Sequence, residues 1–301
     1  MKPNHNYMLR ATAHDGLVRA FALDASDVVD ELQRRHQTFP AATAALGRLS
    51  IGALLFGASL KEADHLVTLR IRADGPGGTL LASANGRGEV RGLIANPQPD
   101  IPESRDGKLN VAGVVGTRGE LTVTRDLGLR QPYNGTVELV SGEIGEDLAH
   151  YLFRSEQIPS AVGIGVFVQP DGAVEAAGGY MVQLLPGVSD DVAAGIEAAI
   201  RELPHPTRLL IGGDTPEVML GRIFGDEAFQ VLGRTPVRFA CPCSRDRAER
   251  AILLLGATTI REMIEAAQAT GHAELKCEFC TELYHFSPGE LAELRTRLSG
   301  G

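Results

Sequence analysis

Four cysteines crowd the last fifth of the chain in two short pairs, Cys241-Pro242-Cys243 and Cys277-Glu278-Phe279-Cys280, separated by a 33-residue spacer, 244–276. Zinc prefers soft ligands at tetrahedral angles, and two chelating loops brought together by a folded spacer supply them. The pattern predicts one tetrathiolate site holding one Zn2+ per chain. His272 and His285 could replace a ligand, but with four thiolates at hand each reads as a surface or turn residue.

Spacing alone leaves open whether such a site is structural or switches. A module of this size buries little apolar surface, so a metal would supply much of its folding free energy, on the order of 10–16 kcal/mol in comparable peptides. Thiolates are also the oxidisable form of cysteine. Neighbours within a pair can reach disulfide distance locally. Such tiny loops constrain the unfolded chain little, unlike a bridge across the spacer. Local pairing would therefore remove all four ligands without re-stapling the fold.

The elements that must position these sulfurs follow from periodicity. The spacer reads as two helices, Arg247–Leu255 ending at Gly256, and a second restarted by a capping box, Thr259 to Glu262, that runs to Gly271. Upstream, residues 24–36 form a short helix and Gln37–Leu60 a small-residue helix, too weakly apolar to span a bilayer and read as buried. From His65 the period falls to two. Strands are expected at 67–72, 79–83, 89–94, 136–140, 160–169 and 174–184, with two more in 109–126 joined at Gly116–Gly119. Residues 96–108 read as a surface loop and 145–156 as a helix. The fold class is α+β: a largely antiparallel sheet domain with packed helices over 1–185, a helical linker over 186–235, and a small zinc-binding module over 236–301. In the linker, Ser189 is positioned to cap a helix from Asp190 to Leu203, and Thr215 with Pro216 opens another that closes at Gly225.

Composition excludes several classes. Hydrophobic residues make up 44% and charged residues 22% of 301, which is globular rather than disordered. The net charge is −9, and residues 236–301 carry eight Lys+Arg against nine Asp+Glu, a poor match to phosphate backbones. The start, MKPNHNYMLRATAHDG, lacks an apolar secretory core, so a reducing cytosol is expected, where close cysteine pairs mean metal or redox chemistry. There is no Walker-type loop and no nucleophile elbow. Gly86-Arg87-Gly88 reads as a hairpin turn, and Glu143, Glu146 and Asp147 as charges at a helix start rather than an acid/base pair. No enzyme activity is expected.

The run Cys241-Pro242-Cys243-Ser244-Arg245, then Leu255-Gly256, Cys277-Glu278-Phe279-Cys280 and Tyr284-His285-Phe286, resembles the zinc module of the bacterial redox-regulated chaperone family called heat shock protein 33. Gly88–Gly92, Tyr133-Asn134-Gly135, Ser141–Glu143, Asp147 with Tyr151, Ser155–Gln157, Gly178–Tyr180 and Gln183–Pro186 resemble that family's core motifs, so the likeness spans nearly the whole chain. The resemblance implies a cytosolic, ATP-independent holdase that is idle while its four cysteines, here Cys241, Cys243, Cys277 and Cys280, hold zinc. It also implies oxidation to the bridges Cys241–Cys243 and Cys277–Cys280, zinc release, unfolding of module and linker, and an active homodimer that binds unfolding clients. Neither nucleic acid nor membrane is an expected partner. Pro242 departs from the small or polar residue expected between the first two cysteines and predicts that Cys277–Cys280 forms more readily. Within the linker, Val218, Met219, Leu220, Ile223 and Phe224 are candidates for the client surface.

Two other classes compete. A thiol-disulfide oxidoreductase built on Cys277 and Cys280 would need an accessible first thiol, yet Glu274, Glu278 and Glu282 flank the pair and should raise a thiol pKa. A nucleic-acid-binding zinc ribbon would need a basic stripe with interleaved aromatics, which is missing.

Overall fold

A computed structural model describes residues 6–101, 108–225 and 227–299; the expected loop over 96–108 and the polar start therefore lie partly outside the described residues. The chain divides into two units, Met1–Ala240 and Cys241–Gly301. The mixed, largely antiparallel character expected from the sequence holds.

Unit 1 begins with β1 (Tyr7–Ala13) and β2 (Val18–Asp24), then α1 (Ser26–His36) and α2 (Pro40–Ala58). Next come β3 (Leu66–Ala73), β4 (Leu80–Asn85), β5 (Glu89–Ile94), α3 (Val111–Val115), β6 (Gly119–Asp126), β7 (Tyr133–Glu138) and α4 (Gly145–Arg154). It closes with β8 (Ser160–Val168), β9 (Val174–Leu184), α5 (Asp190–Glu202), α6 (Pro206–Ile211), α7 (Pro216–Phe224), β10 (Gln230–Pro236) and β11 (Arg238–Phe239). One sheet has the order β10-β1-β2-β9-β8, the other β11-β5-β4-β3-β6-β7. All pairings are antiparallel except β11 with β5.

The small-residue helix α2 packs against strands of both sheets and is buried along nearly its whole length. It is the one described helix long and apolar enough to cross a membrane, and 89% of that window is buried inside the protein. Glycine permits the close approach. A Cβ at Gly47 would stand 2.7 Å from Val29 Cγ1, and one at Gly52 2.5 Å from Leu148 Cδ1.

The first sheet is covered on both faces. Phe21 and Leu23 of β2 join the core around α2. Ala20 and Ala22 face a second cluster, where Ile196, Leu209, Met219, Leu220, Ile223 and Phe224 of α5–α7 pack with Leu9 and Val182. Burial on both faces erases the polar half of a strand's alternation, which is why β1 and β2 leave no period-two trace in the sequence. The segment 186–235 thus lies inside unit 1, and it ends in β10, a strand where a helical pattern was expected.

Two further readings are corrected. Residues 111–115 form α3 and not a strand, because Asn110 accepts the Gly113 N–H at 2.8 Å and starts a helical turn. The charges at the start of α4 do hold helix-start positions, but Asp147 does more. Fully buried, its carboxylate accepts the N–H groups of Val140, Ser141, Gly142 and Ile144 at 2.7–3.4 Å and organises the whole turn. Glu143 instead pairs with Arg48.

Unit 2 contains α8 (Arg245–Leu254), α9 (Gly256–Thr270), β12 (Ala273–Lys276), β13 (Leu283–Phe286) and α10 (Pro288–Ser299). β12 and β13 pair as an antiparallel hairpin. α9 starts at Gly256, whose φ of +83° turns the chain. Thr259 consequently lies inside the helix and the expected capping box does not form.

Candidate metal centre

Each cysteine pair sits at the edge of a short element that fixes it. Ser244 accepts the Arg247 N–H and caps α8, so Cys241 and Cys243 lie in the extended approach to a helix N-terminus. Cys277 and Cys280 occupy the turn between β12 and β13. The Cys277 N–H donates to the Glu282 carbonyl at 2.9 Å, and the Thr281 N–H returns to the Cys277 carbonyl at 2.8 Å. Thr281 holds a φ of +62°, a conformation that disfavours β-branched residues.

All four sulfurs lie within 4.8 Å of one another. Cys241 Sγ is 3.8 Å from Cys277 Sγ, and Cys243 Sγ 3.1 Å from Cys280 Sγ. Sulfurs bound tetrahedrally at zinc's usual bond length stand about 3.8 Å apart. Each of these two contacts joins one cysteine pair to the other. Cys280 is buried and the other three are half-buried.

The environment separates the sulfurs electrostatically. Burial raises the Cys243 thiol, but hydrogen bonding with Tyr284 and with the other three cysteines outweighs it, and its pKa is lowered. Cys280 is pushed the other way, first by burial, against a lowering backbone N–H from Glu282. Burial, rather than the flanking glutamates the sequence suggested, is the leading cause. Four adjacent sulfurs cannot all carry charge unaided, and a divalent cation with thiophilic character is the partner this donor set fits. Tyr284, which only a family likeness singled out, supports the site directly. Its hydroxyl donates to Cys243 Sγ at 3.2 Å, the outer-sphere hydrogen bond that orients a ligand. That donation is the first cause of its own raised pKa.

Little else holds this unit together. Its apolar cluster has seven buried residues, drawn from α8, α9, β13 and α10. The Arg245 guanidinium stacks 4.5 Å from the Phe286 ring and donates to the His285 carbonyl and to Glu290, tying α8 to β13 and α10. The structure thus brings the four predicted cysteines together. His272 and His285 stand outside the sulfur cluster, exposed, as the sequence reading had them.

Comparison with known proteins gives a consistent picture. A family model described as Hsp33 protein matches residues 6–287. The 33 kDa chaperonin of Bacillus subtilis is 47% identical over 290 residues, covering 96% of this chain and 98% of that one. The 33 kDa chaperonin of Enterococcus faecalis is 42% identical, covering 96% of each chain. The crystal structure of the 33 kDa chaperonin, a heat shock protein 33 homolog, from Thermotoga maritima superposes with a TM-score of 0.92 at 38% identity, over 99% of this chain and 100% of that one.

Proposed function

The chain belongs to the Hsp33 family, and on that premise we propose that Cys241, Cys243, Cys277 and Cys280 hold one zinc ion that keeps a redox-regulated chaperone idle. The protein is a chaperone and binds unfolded client proteins. The observation that carries the switch is the gathering of four sulfurs within 4.8 Å on a unit whose own core is small.

Bound there, zinc would supply a tetrahedral cross-link between the two cysteine loops. The residues do the rest. When each pair passes from two thiolates to one disulfide it gives up two electrons, and a peroxide that accepts them with two protons from solvent becomes two waters. The bridges Cys241–Cys243 and Cys277–Cys280 take every anionic sulfur from the module without joining its two ends. Unit 2 then loses the cross-link its burial cannot replace.

The functional division is a core over 1–185, a linker over 186–235 and a module over 236–301. The separate apolar cluster beneath α5–α7 supports it. Met219, Leu220, Ile223 and Phe224 are buried there, while Val218 is exposed. Lifting these helices would bare their apolar faces together with Leu9, Ala20, Ala22 and Val182, a surface suited to unfolding chains. We assign the active form as a homodimer working in the cytosol without ATP, nucleic acid or membrane. No feature of the site favours an oxidoreductase or a zinc ribbon.

The test measures zinc content, free thiols and suppression of client aggregation together, before and after oxidation of the purified protein. The expected result is stoichiometric zinc and weak protection when reduced, then zinc loss, four thiols consumed and strong protection when oxidised. Reduced protein without zinc, or a variant with all four cysteines replaced by serine that protects clients no better than the reduced wild type, sinks the proposal.

A further inference from the structure

Two histidines and a glutamate that the four-sulfur centre does not use meet on one face of the β12–β13 hairpin. Glu274 and His285 are directly opposed in the strand register. His272 stands in the bend just before β12, and its Nε2 reaches the Glu274 carboxylate. Gly271, left-handed at the end of α9, and the Thr270 hydroxyl, which donates to the His272 carbonyl at 2.8 Å, fix where His272 enters the hairpin. One carboxylate oxygen, Glu274 Oε1, lies 3.2 Å from His272 Nε2 and 3.6 Å from His285 Nδ1. The two rings stand edge to face with centroids 4.6 Å apart. One donor atom from each residue lies within 4.8 Å of the others.

We propose that His272, Glu274 and His285 form a second cation site, separate from the four sulfurs, for a late first-row divalent ion such as Zn2+, Ni2+ or Co2+. Two imidazoles and a carboxylate are the borderline nitrogen and oxygen donors these ions take, while Mg2+ and Ca2+ prefer oxygen alone. Ligands held at about 2.0–2.1 Å in a tetrahedron are about 3.3 Å apart, close to the 3.2 and 3.6 Å found here. All three side chains are about half exposed, so an ion reaches them from solvent and keeps an open position for water. An ion there cross-links β12 to β13, the strands that carry Cys277 and Cys280 at their turn.

Cobalt distinguishes the two sites. Reduced, metal-free full-length protein is titrated with Co2+, following thiolate-to-cobalt absorption and bound cobalt together. The wild-type chain is expected to take one equivalent with the thiolate band and a second without it. His272→Ala/His285→Ala removes only the second equivalent, and Glu274→Gln weakens it by more than the about tenfold that loss of an outer-sphere partner costs. The thiolate band of the first equivalent reports that each variant is folded. A single equivalent in the wild type, or a second equivalent that survives in the double variant, overturns the proposal. Failure of the four-sulfur reading would show differently, as a missing thiolate band.

Discussion

Unit 1 and unit 2 solve the same folding problem with different means. Unit 1 wraps two sheets around a helix buried along its length and fills the space with Phe56, Tyr151 and many leucines and isoleucines. Unit 2 spans 61 residues, Cys241–Gly301, and buries one large aromatic, Phe286, in a cluster of seven. It leaves Leu254 89% and Leu255 51% exposed. A chain of about 60 residues hides a smaller share of its surface and is marginal without a cross-link. A switch belongs in such a unit, because removing one set of bonds there decides folded against unfolded, whereas in unit 1 no single contact carries so large a share.

The sharpest way to break this contrast is to take the ligands away. Cys277→Ser/Cys280→Ser, or chelation of the reduced protein, should remove stabilisation on the order of 10 kcal/mol from unit 2. Hydrogen exchange should show residues 245–299 near unfolded rates while β3, β8 and β9 stay protected. Undiminished protection in α9 and α10 would mean the small apolar cluster suffices.

The converse perturbation strikes unit 1 alone. Asp147→Ala leaves four backbone N–H groups without their buried acceptor, which should cost about 3 kcal/mol. The urea midpoint of the core transition should fall while metal content of the reduced protein stays unchanged. A change in metal content instead would show that the two units are not energetically separable in this way.

A smaller effect separates the sulfurs from what supports them. Tyr284→Phe deletes the hydroxyl that donates to Cys243 and keeps the ring. Metal affinity, measured by competition with a chelator, should weaken by about tenfold, with core melting unaltered. An unchanged affinity would leave the four sulfurs self-sufficient.

The sequence reveals these features unevenly. Thiols in two short pairs suit metal or redox chemistry by their type and spacing, so the gathering of the four sulfurs could be expected before any fold was known. Caps were readable for a similar reason: Ser189 and Thr215 accept the N–H groups of Val192 and Val218 as their chemistry requires. What stayed hidden depended on tertiary partners. β1 and β2 are alanine-rich and buried from both sides, and β10 is a strand because β1 offers it an edge. Nothing local marks Tyr284 as a donor, or Glu274 as the residue that joins His272 to His285. Those meetings exist only once β12 and β13 pair.

The finest distinction lies within the centre itself, between its two loops. Of the proposed bridges, Cys241–Cys243 must close over Pro242 alone, whose ring fixes φ and biases Cys241 toward extended backbone. Cys277–Cys280 closes over Glu278 and Phe279, which carry no such restraint. Accessibility argues the other way, since Cys280 is the most buried of the four sulfurs. Ring strain of about 1 kcal/mol corresponds to about fivefold in rate, and on that ground Cys277–Cys280 should appear first during graded peroxide treatment, read by mass mapping of peptides. Pro242→Ser should then narrow the interval by a similar factor. If Cys241–Cys243 forms first in the wild type, burial of Cys280 outweighs the proline, and access rather than backbone stiffness sets the order in which the switch is thrown.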